Sequence, residues 1–132
     1  MFQATASRSF PTKILLPIDF SASSDAALAM ATNLAQHFGS ELHLLNVIPM
    51  FPVTSGIDSY PEPQFPLDTT FLRESKDRAE QKLAKCVGDL ASTDLKASFD
   101  VEIANDVVGN IMAVIESQHV DMVVVSTRGI SG

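Results

Sequence analysis

Hydrophobic and polar positions along this chain fall into blocks whose period switches between two and about four. KILLPIDF, a short apolar run with a β-branched component that closes on Asp19, predicts a buried strand. SASSDAALAMATNLAQHFGS follows, with Ala27, Leu28, Ala31, Leu34, Ala35 and Phe38 on one helical face. Ser21 or Ser23 can cap that helix, Asp25 suits its positive end, and Gly39 can terminate it. ELHLLNVI predicts a second strand. From about Leu67 helical spacing returns at Leu72, Ala79, Leu83, Cys86 and Leu90. KASFDVEIA alternates strictly, Ala97, Phe99, Val101 and Ile103 against Lys96, Ser98, Asp100 and Glu102, as a half-buried edge strand does. Asp106 can cap a short helix carrying Val107, Ile111, Val114 and Ile115. DMVVVS, apolar on both faces, reads as a central strand.

The resulting order, β-α-β-α-β-α-β, predicts an α/β domain. Its sheet is open and parallel, with right-handed crossovers and helices on both faces. Between the second strand and second helix lies PMFPVTSGIDSYPEPQFP, which holds five of the seven prolines and has no periodicity. It reads either as a lid, since it leaves the carboxyl end of a strand, or as a disordered connector. Residues 1–12 read as a flexible polar tail, so the domain is expected over 13–132.

Composition narrows the function classes. The chain has 132 residues, a size for one domain, and a net charge of −7. An acidic chain with no Lys/Arg run is a poor partner for nucleic acid. No apolar run approaches the length of a membrane span, and the N-terminal residues lack a secretory apolar segment, so no membrane insertion is expected. A single cysteine, Cys86, excludes an internal disulfide and suits the cytoplasm. Its place on a helical apolar stripe predicts core packing rather than redox chemistry. His37, His43 and His119 show no metal-ligand spacing, and no pattern resembling a hydrolytic triad is visible. A dedicated enzyme is therefore the weakest class.

Ligands of open parallel sheets bind beyond the carboxyl ends of the strands, where strand order reverses. Two strand ends carry suitable groups. The first closes on Pro17, Ile18 and Asp19; the last closes on Ser126, Thr127, Arg128 and Gly129. Were these strands neighbours, a carboxylate would face a turn of hydroxyls, backbone N–H groups and a guanidinium. That combination suits a nucleotide, with Asp19 for ribose hydroxyls or a bound cation and the turn for phosphate. Asp19 could equally anchor the start of the first helix.

These features together resemble the universal stress protein family. The resemblance runs from Lys13 onward and rests on ILLPIDFS, LHLLNVI and DMVVVSTRG. It implies the three-layer, Rossmann-like sheet of the adenine nucleotide alpha hydrolase type, with strand order 3-2-1-4-5. By position, Pro17, Ile18, Asp19 and Val47 would contact the nucleoside of ATP. Val125, Ser126, Arg128 and Gly129 would approach the adenine edge and the phosphates, with Mg²⁺ reached through Asp19. The family's ATP-binding members carry Gly-x-x-Gly, nine residues, then Gly-Ser or Gly-Thr. Gly129 matches the second glycine, and Ser126 stands where the first would be. The spacer and closing pair do not follow before Gly132, so the expected domain is C-terminally incomplete, lacking the last helix and strand. The resemblance further implies a stress-response role and a homodimer formed through the fifth strand, or action through a protein partner. A nucleotide-independent adaptor and a slow ATPase are the rival readings.

Overall fold

The computed structural model describes residues 10–50 and 69–126. The N-terminal tail up to residue 9, the bulk of the proline-rich segment, Arg128 and Gly129 lie outside the described residues. The elements run β1 (Lys13–Pro17), α1 (Ala22–Phe38), β2 (Glu41–Pro49), α2 (Thr69–Ala91), β3 (Ala97–Ala104), α3 (Val107–Ser117) and β4 (Met122–Val123). The strands form one sheet in the order β3-β2-β1-β4, and every pairing is parallel. Among the described residues, no helix is long and apolar enough to cross a membrane.

Local chemistry sets both ends of α1 and the start of α3. Ser21 is extended, and its side chain accepts from the Ser24 N–H at the start of α1. Gly39 stops α1 with φ 71, a left-handed value that costs glycine nothing, and its N–H returns to the Ala35 carbonyl. Asp106 caps α3 by accepting from the Gly109 N–H at 2.9 Å. In α1 the buried stripe is Ser24, Ala27, Ala31 and Ala35. These small side chains let the helix axis approach the sheet closely, with Leu28 and Leu34 packed on the flanks.

Two apolar layers sandwich the sheet. The larger joins Ile14, Leu16 and Ile18 of the β1 region to Leu42 and Leu44 of β2, the alanines of α1, and Ala79 and Leu83 of α2. The smaller gathers Leu15, Leu45 and Val114, with Val47, Ile111, Ile115 and Val120 packed against it beneath α3. Ile14, Leu15 and Leu16 are each 0% exposed, because β1 has a strand on both sides and a helix layer on both faces. Among the described residues β3 has one neighbouring strand, and of its residues only Val101 is buried, as an edge strand requires.

β4 differs from its sequence expectation. The apolar run DMVVVS predicts a strand as far as Ser126, but the ladder covers only Met122 and Val123, opposite Ile14 and Leu15; its place at the end of the order 3-2-1-4 is the one expected of a domain lacking the fifth strand. One further bond, from the Val124 N–H to the Leu15 carbonyl at 3.0 Å, continues the alignment. Among the described residues β4 ends the strand order, so its outer backbone groups have no ladder partner and Val125 is 59% exposed. Hydropathy reports which side chains avoid water; it does not count neighbouring strands.

The amino ends of β1 and β4 are joined by Asp121. Its carboxylate accepts from the Thr12 N–H at 2.9 Å, the Lys13 N–H at 2.9 Å and the Thr12 hydroxyl at 3.0 Å. Burial pushes this carboxyl upward, but the Thr12 and Lys13 donors outweigh it and leave its pKa lowered. A carboxyl with a lowered folded pKa contributes stability that is complete above its unfolded value, near pH 4, and is lost as pH falls through the folded value. Asp121→Ala should therefore lower stability at pH 7 by roughly 1–2 kcal/mol, discounted because the carboxylate is exposed. Urea titrations of both proteins should show that difference shrinking as the pH drops below about 4.

Candidate functional site

Three stretches far apart in sequence converge at the carboxyl edge of the sheet. Pro17, Ile18 and Asp19 leave β1, Leu45 and Val47 belong to β2, and Val125 and Ser126 follow β4; with Ser24 of α1 and Val107 and Ile111 of α3 they line a cavity of about 280 Å³. Of the residues expected at a nucleotide site, Pro17, Ile18, Asp19, Val47, Val125 and Ser126 share this cavity. Arg128 and Gly129 lie outside the described residues. Ser24, Leu45, Val107 and Ile111 were not anticipated. The spacing held a signal for three of them: Leu45 lies two residues before Val47 on the same strand face, and Val107 and Ile111 are four apart on one helix.

The backbone leaving β1 is held by β2. Ile18 N–H donates to the Leu45 carbonyl at 2.8 Å, and the buried amide of Asn46 donates through Nδ2 to the Ile18 carbonyl at 2.8 Å. Asn46 thus replaces a ladder bond where regular pairing of β1 ends. Phe20 then adopts φ 65, an uncommon conformation for a bulky residue, and turns the chain from strand into helix. Lys82 of α2 stands 4.6 Å over its ring, a cation–π contact that holds the corner down.

Asp19 sits at that corner with one oxygen engaged. Its Oδ1 accepts from the Ser21 N–H at 3.0 Å and the Ser24 hydroxyl at 2.7 Å, while its own N–H donates to the Ser24 hydroxyl at 3.0 Å. Ser21 and then Ser24 hold the Asp19 carboxyl below its ordinary value, against a weaker upward push from burial. Asp19 is therefore an anion at neutral pH. The anchoring of α1 is seen directly, and among the described residues Oδ2 has no hydrogen-bond partner. Across the cavity mouth, the Ser126 hydroxyl donates to the Ser23 hydroxyl at 2.7 Å, and Ser23 is 3.2 Å from the Ser21 hydroxyl. A line of hydroxyls thus ties the end of β4 to the first turn of α1.

The cavity is apolar along Pro17, Ile18, Leu45, Val47, Val107, Ile111 and Val125, with an anion and hydroxyls at one rim. A flat apolar group bearing hydroxyls fits that distribution, and it lies where strand order reverses in an open parallel sheet.

Comparison with known proteins agrees with this architecture. The sequence profile of the Universal stress protein family matches residues 11–132. The chain belongs to the universal stress protein family. Among solved structures it is similar to a universal stress protein family member from Burkholderia pseudomallei, with a TM-score of 0.74 and 16% identity over 91% of this chain and 84% of that one. It is also similar to the universal stress protein UspA from Lactobacillus plantarum, with a TM-score of 0.68 and 20% identity over 86% of this chain and 75% of that one. At such identities the likeness concerns the fold. No curated protein matches the chain.

The thiol lies away from the cavity. Cys86 packs against the larger apolar layer from α2, and burial, with Asp89 and Asp25 acting in the same direction, pushes its pKa up. A raised pKa leaves little thiolate at neutral pH, and the thiolate is the reacting form. Labelling with a maleimide should be slow in native buffer and at least about tenfold faster in denaturant. Equal rates in the two conditions would contradict core packing of this residue.

Proposed function

We propose that this protein binds an adenine nucleotide at the carboxyl edge of β1 and β4 and acts as a cytoplasmic stress-response regulator, through a homodimer or a protein partner. One observation carries the nucleotide half of the reading: six residues expected from sequence to contact ATP, drawn from three strand ends, line a single cavity. The adenine and ribose suit its apolar walls and its anionic rim, with the ribose hydroxyls donating to Asp19. Phosphates are repelled by that carboxylate unless a cation such as Mg²⁺ stands between them. The favourable pose therefore directs them away from Asp19, past Ser126.

The volume, about 280 Å³, is at the low end of small-molecule sites, roughly 300–1,000 Å³. It favours a ligand whose nucleoside is enclosed and whose phosphates lie outside. Assembly is supported by exposed apolar side chains: Val108 and Met112, 68% and 58% exposed, form one stripe of α3, and Val123 of β4 and Val125 just beyond it stand exposed. The single thiol supports a reducing compartment. A nucleotide-independent adaptor is the second reading, favoured by Ser126, whose Cβ occupies the place of the motif's first glycine and whose hydroxyl is already bonded to Ser23.

Equilibrium dialysis with ATP separates the two. On the nucleotide reading the protein binds ATP, and Asp19→Asn, which keeps the shape but removes the charge, weakens binding about ten- to a hundredfold, equivalent to roughly 1.5–3 kcal/mol. Val125→Trp, at an exposed position where a larger side chain is tolerated, should close the cavity and abolish binding while leaving the unfolding midpoint unchanged. No binding by the parent protein would favour the adaptor, and full binding by both variants would move the nucleotide out of this cavity.

A further inference from the structure

The hydrogen-bonded group around His43 has no part in the nucleotide site. Ser98 and Asp100 stand two residues apart on β3 and so present their side chains on one face, and the register places Ser98 directly opposite His43 of β2. The imidazole spans both. Its Nδ1 lies 2.7 Å from the Ser98 hydroxyl oxygen and its Nε2 lies 3.1 Å from Asp100 Oδ2. His43 is 2% exposed, whereas Ser98 is open to solvent at the edge strand.

Hydrogen-bond capacity assigns the protons. A carboxylate only accepts, so Nε2 carries the hydrogen and donates to Asp100. In the neutral ring Nδ1 then holds the lone pair, and the Ser98 hydroxyl is its donor. Burial, the largest influence, pushes the His43 pKa down against the pull of Asp100; Lys13 acts with burial and Glu41 against it. The ring is thus a neutral base at pH 7, with its acceptor nitrogen on an accessible hydroxyl and its orientation held by a carboxylate. Nucleophile, base and orienting group within hydrogen-bond reach are the signature of an activated serine.

Backbone geometry adds a donor. Leu42 N–H donates to the Lys96 carbonyl and Met50 N–H to the Ala104 carbonyl, so the even-numbered residues of β3 face β2. The N–H of Phe99 faces the opposite way, toward a sheet edge that has no neighbouring strand among the described residues. The N–H of the residue after a nucleophilic serine is a recurrent oxyanion donor.

We propose that Ser98 is a nucleophile, with His43 as its general base and Asp100 as the positioning residue, that accepts the acyl group of small activated esters. As Ser98 Oγ bonds to the carbonyl carbon, its proton passes to His43 Nδ1. The carbon–oxygen bond to the leaving alcohol then breaks, and the alcohol departs with that proton. Water, deprotonated by the same Nδ1, attacks acyl-Ser98 and releases the carboxylic acid with the hydroxyl restored. An exposed serine on an open strand suits small, unselective donors rather than a substrate that needs enclosure.

The test uses an alkyl fluorophosphonate, which leaves a phosphonyl group on the serine as fluoride and the proton depart, and p-nitrophenyl acetate, followed as p-nitrophenol release. Intact mass and peptide mapping should find one adduct, on Ser98, absent in Ser98→Ala. His43→Gln and Asp100→Asn should each slow labelling by about a hundredfold or more, the range of general-base contributions. The parent's labelling rate should fall with decreasing pH, with a midpoint below the ordinary imidazole value of about 6.5. Circular dichroism checks folding, and if His43→Gln unfolds, Asp100→Asn, altered at a half-exposed side chain, carries the comparison. No adduct on Ser98, or a labelling rate unchanged in a folded His43 or Asp100 variant, would overturn the proposal.

Discussion

Right-handed crossovers impose one constraint from which the rest of this structure follows. The chain leaves β1 through α1 to reach β2 on one side, and returns through α3 to place β4 on the other. The two connections lie on opposite faces of the sheet, so neither covers the carboxyl ends of β1 and β4 where they part. A crevice there is the geometric result of the strand order β3-β2-β1-β4. Burying β1 on both faces and between two strands anchors the strand that leads into that crevice, with Ile14, Leu15 and Leu16 each 0% exposed.

Polar groups finish what the apolar layers begin. Beyond Pro17 the regular ladder stops, and the backbone is kept in place by the Ile18 bond to Leu45 and by the Asn46 amide on the Ile18 carbonyl. Asp19, Ser21 and Ser24 then join the strand end to the helix start through one shared carboxylate oxygen. The anchoring of α1 by Asp19 is compatible with the proposed ligand role, because a carboxylate has acceptor capacity for several donors and the helix entry uses one oxygen. Lowering of its pKa by the serines keeps the rim of the cavity negative across the physiological range. That charge disfavours a bare phosphate beside Asp19 and favours hydroxyls or a cation.

Much of this arrangement was legible in the sequence, for reasons that can be traced to particular residues. Ser21, Asp25 and Gly39 bracket α1 because capping depends on local chemistry alone. The alternation from Lys96 to Ile103 identified β3 as an edge because one face packs on the core, through Phe99 and Val101, while the other is turned toward water. The cavity's position, with Asp19 and Ser126, followed from the strand ends, and Val47 and Val125 from the family resemblance. What was hidden depends on register. Asn46 reads as one polar residue in an apolar strand, and only the offset of β2 against β1 shows its amide meeting the Ile18 carbonyl. His43 lacks any metal-ligand spacing, yet the pairing of β2 with β3 sets it between Ser98 and Asp100, more than fifty residues away. The two-residue length of β4 was likewise invisible, since an apolar run does not record how many strands flank it.

We propose that a nucleotide occupies the crevice between β1 and β4. The most direct measurement is a titration of isotopically labelled protein with ATP and Mg²⁺, followed by amide nuclear magnetic resonance. Occupancy of the crevice should give saturable shifts concentrated at Ile18, Asp19, Val47, Val125 and Ser126, with the amides of Ser98 and Asp100 on the outer strand left in place. Shifts absent at saturating nucleotide, or gathered on α2 and β3 away from the crevice, would contradict it.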